Sequence, residues 1–154
     1  MGSIQLHNGQ LYIAVLGTDN LKNAQLIQHQ AGGPPAVVVG QNVLQGVLHI
    51  PSMTWEDGNP IFPLVRAGWP YSGVIARIQG NKLNVGTHGP PGMKWLQATD
   101  KGLVVGCTRL VIRAAADEPY SVVAQWSSPS AVSVDAQGRV VWTDKQSGVL
   151  WRTN

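Results

Sequence analysis

The stretch Ile4-Gln5-Leu6-His7-Asn8-Gly9-Gln10-Leu11-Tyr12-Ile13-Ala14-Val15 decides the fold class. Two short runs with alternating or β-branched apolar residues flank Asn8-Gly9, and Asn-Gly is the dipeptide that most readily supplies the two left-handed residues of a type I′ turn. It reads as a β-hairpin. The same grammar returns at residues 73–85, which fold back at Gln79-Gly80-Asn81, and at residues 132–142, which fold back around Ala136-Gln137-Gly138. Between these hairpins, short apolar runs at 36–39, 43–50, 95–98, 103–107, 109–114, 120–126 and 148–152 read as strands. In the second half they recur about every 10 to 12 residues, the cadence of a sandwich, barrel or propeller.

Two stretches read differently. Residues 19–30 fit a helix capped by Asp19 or Asn20 and stopped by Gly32-Gly33-Pro34-Pro35, although the apolar spacing also fits a strand. Residues 52–69 read as a loop-like excursion with a turn at Glu56-Asp57-Gly58-Asn59-Pro60. Within it, Ile61-Phe62-Pro63-Leu64-Val65 reads as an edge strand, because Pro63 cannot donate a ladder hydrogen bond. The fold expected is one all-β domain over residues 1–154, an antiparallel, hairpin-rich β-sandwich or barrel, with a partial β-propeller as the alternative.

Composition agrees. Of 154 residues 44% are apolar and 12% charged, with 18 Gly and 10 Pro, too apolar for disorder and too rich in breakers for a helical bundle. No run approaches the roughly 20 apolar residues of a membrane-spanning helix. The start, Met1-Gly2-Ser3-Ile4, lacks the basic region and apolar core of a secretion signal. The net charge of +3 comes from bases spread singly along the chain, with no cluster to neutralise several phosphates at once, which disfavours nucleic acid as a partner. In residues 1–55 the only formal charges are Asp19 and Lys22. Such a surface is poorly protected against association, and its Gln and Asn side chains can hydrogen-bond across an interface without burying ions.

Two segments resemble blade hairpins of β-propellers. Pro129-Ser130-Ala131-Val132-Ser133-Val134-Asp135 followed by Gly138-Arg139-Val140-Val141-Trp142-Thr143-Asp144 resembles the blades of the low-density-lipoprotein-receptor and NHL types. Asn8-Gly9-Gln10-Leu11-Tyr12-Ile13-Ala14 with Gly17-Thr18-Asp19-Asn20 is similar to blades of bacterial propeller lectins. The likeness covers about 40 residues. It implies binding of proteins or glycans through loops, without catalytic residues in most members. At roughly 40 to 45 residues per blade the chain holds three to four, so a propeller would have to close by oligomerising.

No catalytic grammar is present. Cys107 stands alone, which excludes an intrachain disulfide and a thiolate zinc site, and its apolar context marks it as a buried small hydrophobe. His7, His29, His49 and His88 lack the spacing of a helical metal pair, and Glu56 and Asp57 do not form a converging acid and base. A Gly-x-Ser-x-Gly elbow and a phosphate loop are also missing. An enzyme, a metal site and a cofactor are therefore not expected.

Of six tryptophans, Trp126, Trp142 and Trp151 lie in strand patterns and read as packing residues. Trp55, Trp69 and Tyr71 flank the polar excursion that carries Glu56, Asp57 and Asn59. Aromatics beside amides and carboxylates suit either a protein interface or a sugar, whose apolar face stacks on a ring. The expectation is a non-enzymatic structural or interaction protein that works in an oligomer or larger assembly, most concretely a phage or viral virion component such as a capsid decoration, head-fibre or tail protein. The alternative is a carbohydrate-binding, propeller-like lectin. Partners are then copies of itself and other structural proteins, with a glycan as the alternative ligand and no membrane insertion. The location is a virion, or otherwise the cytoplasm.

Overall fold

A computed structural model describes residues 3–15, 24–29, 32–40, 42–66, 73–88, 92–115, 118–125 and 128–154. Every regular element among them is a strand. In chain order these are β1 (Ile4–His7), β2 (Gln10–Val15), β3 (Gln25–His29), β4 (Ala36–Val39), β5 (Val47–His49), β6 (Thr54–Glu56), β7 (Asn59–Pro63), β8 (Val65–Arg66), β9 (Val74–Gln79) and β10 (Lys82–His88). The second half adds β11 (Trp95–Thr99), β12 (Gly102–Gly106), β13 (Leu110–Ala115), β14 (Glu118–Gln125), β15 (Pro129–Val134), β16 (Val140–Asp144) and β17 (Leu150–Arg152).

Four antiparallel sheets result, ordered β1-β2-β3-β4, β6-β7-β9-β10, β11-β12-β13-β14 and β15-β16-β17, and a two-stranded ribbon β5-β8 joins the first two. They are arranged like the blades of a four-bladed propeller, so the architecture follows the alternative reading. Blades 1 to 4 are numbered here in chain order.

Successive blades share apolar cores. Ala14, Leu26 and Val39 of blade 1 meet Phe62, Ala76 and Ile78 of blade 2, with Leu44, Val47, Ile50 and Met53 of the connecting segment between them. Ile61 and Ile75 of blade 2 meet Leu96, Val105 and Ile112 of blade 3, and Val104 and Val111 of blade 3 meet Val140 and Trp142 of blade 4. The period-2 alternation of a strand explains how one blade serves two cores. Val104 points to blade 4 and Val105 to blade 2, both fully buried, so β12 is a continuous apolar run.

The Asn8-Gly9 hairpin forms as expected, with φ of 49° and 73° and the register Ile4↔Ile13 to His7↔Gln10. Three expectations are corrected. Residues 25–29 form β3 rather than helix, because each pairs with β2, from Leu11↔His29 to Val15↔Gln25; the rest of the expected helix lies largely outside the described residues. Only Val47–His49 of the 43–50 run is strand, since Leu44 N and Val43 N turn back to Gly40 O. The excursion at 52–66 is mostly sheet, and β7 is an interior strand between β6 and β9.

Register explains how β7 tolerates two prolines. The two-residue turn Asp57-Gly58 makes Glu56↔Asn59 the first hydrogen-bonded pair with β6, so odd-numbered residues of β7 bond to β6 and even-numbered ones to β9. Pro60 faces β9, whose pairing starts only at Ile61, and Pro63 faces β6, whose pairing stops at Ile61. Neither missing N–H leaves a gap in the ladder.

Candidate functional site

The hairpin β6-β7 carries four of the six residues singled out by sequence. Trp55, on β6, crosses to blade 1. The His7 ring lies parallel to its indole, centroids 4.4 Å apart and planes 7° apart, and Tyr12 meets it at 4.7 Å and 53°. Trp55 and Tyr12 also pack against the first core, so one indole face is already occupied and the ring acts as a joint between blades. Glu56 forms an ion pair with Arg77 of β9, reaching across β7. Asp57 sits exposed at the turn with φ 51°, and Asn59 Nδ2 donates to its carbonyl oxygen at 3.1 Å. The structure therefore brings Trp55, Glu56, Asp57 and Asn59 together; Trp69 and Tyr71 lie outside the described residues. His7, Tyr12 and Arg77, which complete this cluster, were not singled out from sequence because they are remote along the chain.

A second feature was not anticipated. The first strand of every blade borders one cavity of about 760 Å³, to which β1 contributes Gln5, β6 Thr54, β11 Gln97 and β15 Ser133. Ser3, just before β1, and His49 and Ser52, from the segment leading into β6, add to its polar lining, and Trp95 adds an aromatic wall. Among the described residues, no formally charged side chain lines it. Two contacts fix the frame: Ala98 N donates to Thr54 Oγ1 at 3.2 Å, and Val134 N donates to Gln97 Oε1 at 3.1 Å. Ser52 Oγ is buried without a hydrogen-bond partner among the described residues. Burial holds the His49 imidazole below its ordinary value, which keeps the lining neutral. Amides, hydroxyls and a neutral imidazole can exchange hydrogen bonds with an uncharged polar molecule. The signal that could have located this cavity is positional, since it draws on the first strand of each blade.

Blade 1 supplies a third feature. Among its described residues it carries no Asp, Glu, Lys or Arg, and Ile4, Leu6, Val37 and Val38 are exposed. Cys107 is buried as expected, and desolvation pushes its thiol up to about 12. No group of three or more His, Cys, Asp or Glu among the described residues is placed to hold a metal ion. No helix among them is long and apolar enough to cross a membrane. Neither the protein-family models nor the curated proteins searched contain a match to the chain.

Proposed function

We propose that this chain is a non-enzymatic interaction protein that works in an assembly of its own copies and other structural proteins. A phage or viral virion component, such as a capsid decoration, head-fibre or tail protein, is the concrete form, which would place it in the virion. Outside a virus the same assembly would sit in the cytoplasm. The observation that carries this reading is the end blade: a four-stranded sheet without a formal charge among its described residues, with Ile4 and Leu6 each 66% exposed. An apolar, chargeless surface of this kind is a normal feature of subunits whose faces are covered by neighbours and an aggregation hazard in a free monomer. Its contribution is burial and shape, with amide-rich edges adding hydrogen bonds at the rim.

Light scattering of the full chain across concentration and salt tests it. A multiple of 16.5 kDa that persists on dilution and in high salt supports the reading, because apolar contacts survive screening. A monomeric mass at every concentration overturns it.

The neutral central cavity favours a second reading, a carbohydrate-binding module. Its size falls within the range of small-ligand sites and its lining matches hydroxyl chemistry. A glycan array decides: binding that is lost in Gln97→Ala and retained in Trp55→Ala would locate a sugar in the cavity rather than on the β6-β7 hairpin.

A further inference from the structure

We infer that the outward face of blade 1 docks on the same face of a second copy of this chain, the two sheets packing back to back about a two-fold axis. The inference rests on the assembly reading above and names its partner and surface.

Register defines the face. Cross-strand partners share a side of a sheet, so Ile4↔Ile13↔Ile27↔Val37 and Leu6↔Leu11 run across one side of the four strands. The opposite side holds Tyr12, Ala14, Leu26 and Val39, which pack on blade 2. Blade 1 is thus apolar on both sides. That two-sided pattern is what blades 2 and 3 show: Ile61 and Phe62, or Val104 and Val105, are neighbours in sequence and lie in different cores. Those blades have a neighbour on each side. Blade 1 has the composition of a middle blade at an end position, and its outward side chains are correspondingly uncovered, Ile4 and Leu6 by 66% and Val37 by 57%.

What covers the face must match it. Blade 4 of the same chain does not. With Val132, Val134, Val140 and Trp142 turned to blade 3, its other side presents Ser133, Thr143 and Arg152 beside Val141 and Leu150. Those polar groups would lose their water against Ile4 and Leu6 and gain no hydrogen bonds there. The free side of blade 4 is thus mixed, with Ala131, Val141 and Leu150 among Ser133, Thr143 and the charged Arg152. A second blade 1 is the matching surface the chain itself supplies. Apart from Gln25, opposite Val15, and His29 it is apolar, and with no Asp, Glu, Lys or Arg among its described residues it raises no like-charge repulsion when packed on its own copy. His29, opposite Leu11, is the titratable residue on this side, and it is exposed. Isologous packing of one patch on itself gives a closed dimer, with the sheets about 10 Å apart as in any β-sandwich.

The test is the solution mass of three full-length proteins by sedimentation or light scattering. The wild type is expected to be a dimer or a multiple of one. Leu6→Glu places a charge within the contact on a residue already exposed in the monomer, and is expected to halve the mass while circular dichroism and the thermal transition show a folded chain. Leu150→Glu, on the free side of blade 4, is expected to leave the mass unchanged. The double substitution Ile4→Ser and Leu6→Ser repeats the test without a new charge, which separates a folding defect from a lost interface. An assembled wild type whose mass neither blade 1 variant alters overturns this interface while the assembly reading stands. If Leu6→Glu and Leu150→Glu both dissociate it, blade 1 docks on blade 4 of the next copy and the back-to-back arrangement is wrong. A wild type that is monomeric throughout removes both proposals.

Discussion

The His7 imidazole lies flat against the Trp55 indole, 4.4 Å between ring centroids, and this stack joins the first strand of blade 1 to the first strand of blade 2. Two residues 48 positions apart in sequence thereby fix how the first two blades meet, with Tyr12 closing the cluster from β2. Trp55→Ala should cost about 2 to 4 kcal/mol, toward the lower end of large aromatic truncations because the ring is half-buried. In a double-mutant cycle with His7→Ala, the stack itself should appear as about 0.5 to 1.5 kcal/mol of coupling in urea unfolding. Strict additivity of the two substitutions would show that the rings merely lie near each other.

The joint between blades 3 and 4 depends on a missing side chain. A Cβ at Gly106 would stand 2.5 Å from Val132 Cγ2 and 3.2 Å from Trp95 Cβ. Val132 is β-branched and stiff at χ1, and Trp95 is the cross-strand partner of Gly106, so neither yields readily. Gly106→Ala should therefore destabilise by about 1 to 3 kcal/mol through overpacking. Adding Val132→Ala to it should restore part of the loss, and a thermal melt of the single and double variants measures this. No recovery in the double variant would place the strain elsewhere.

Asp144 closes the last blade. Its carboxylate accepts from Ser128 N at 2.9 Å, Gln146 N at 2.8 Å and Ser147 N at 2.9 Å, and its side chain is almost fully buried. Replacing it with Ala leaves backbone donors without their acceptor, so a loss of about 2 to 3 kcal/mol is expected from unfolding curves. Asp144→Asn keeps one acceptor oxygen and should lose less. Hydrogen exchange should locate the damage at residues 146 and 147; protection unchanged there would argue against this role for the carboxylate.

Local grammar was legible in the sequence and pairing was not. Asn8-Gly9 predicts its turn because the two left-handed residues are adjacent in the chain, and the structure gives both a positive φ. Asp57-Gly58 was readable for the same reason, whereas the strands around it were hidden by Pro60 and Pro63, whose tolerance depends on where β6 and β9 stop pairing. Residues 25–29 fit two periodicities, and five cross-strand partners in β2 settle the choice. Among the site residues, Trp55, Glu56, Asp57 and Asn59 were found because they sit within one turn of each other. Their partners His7, Tyr12 and Arg77 were missed since only tertiary pairing brings them near. The central cavity has the same character, for it takes one strand from each of four blades.

Acid should lower the stability of the protein in two separable steps. Burial lowers the pKa of His49 from its ordinary 6.5, so below that value the unfolded chain binds a proton that the folded chain refuses. Stability then falls as the pH drops from about 6.5 toward the folded pKa, and the loss is complete below it. Asp135 acts lower on the scale. Burial works against its ionisation, but the N–H groups of Arg139 and Gln137 and the Arg139 side chain, whose Nε donates at 2.7 Å, outweigh that and hold it below its ordinary 3.8. Its contribution is therefore present above 3.8 and disappears as the pH falls through the folded pKa. Urea midpoints at pH 7.5, 5 and 2.5 should show His49→Gln losing less than the wild type between the first two values. Asp135→Asn should be weaker than the wild type at pH 5, with the gap narrowing at pH 2.5. If His49→Gln keeps the full loss between pH 7.5 and 5, the upper step belongs to another group and the neutral state of the cavity lining does not depend on this imidazole.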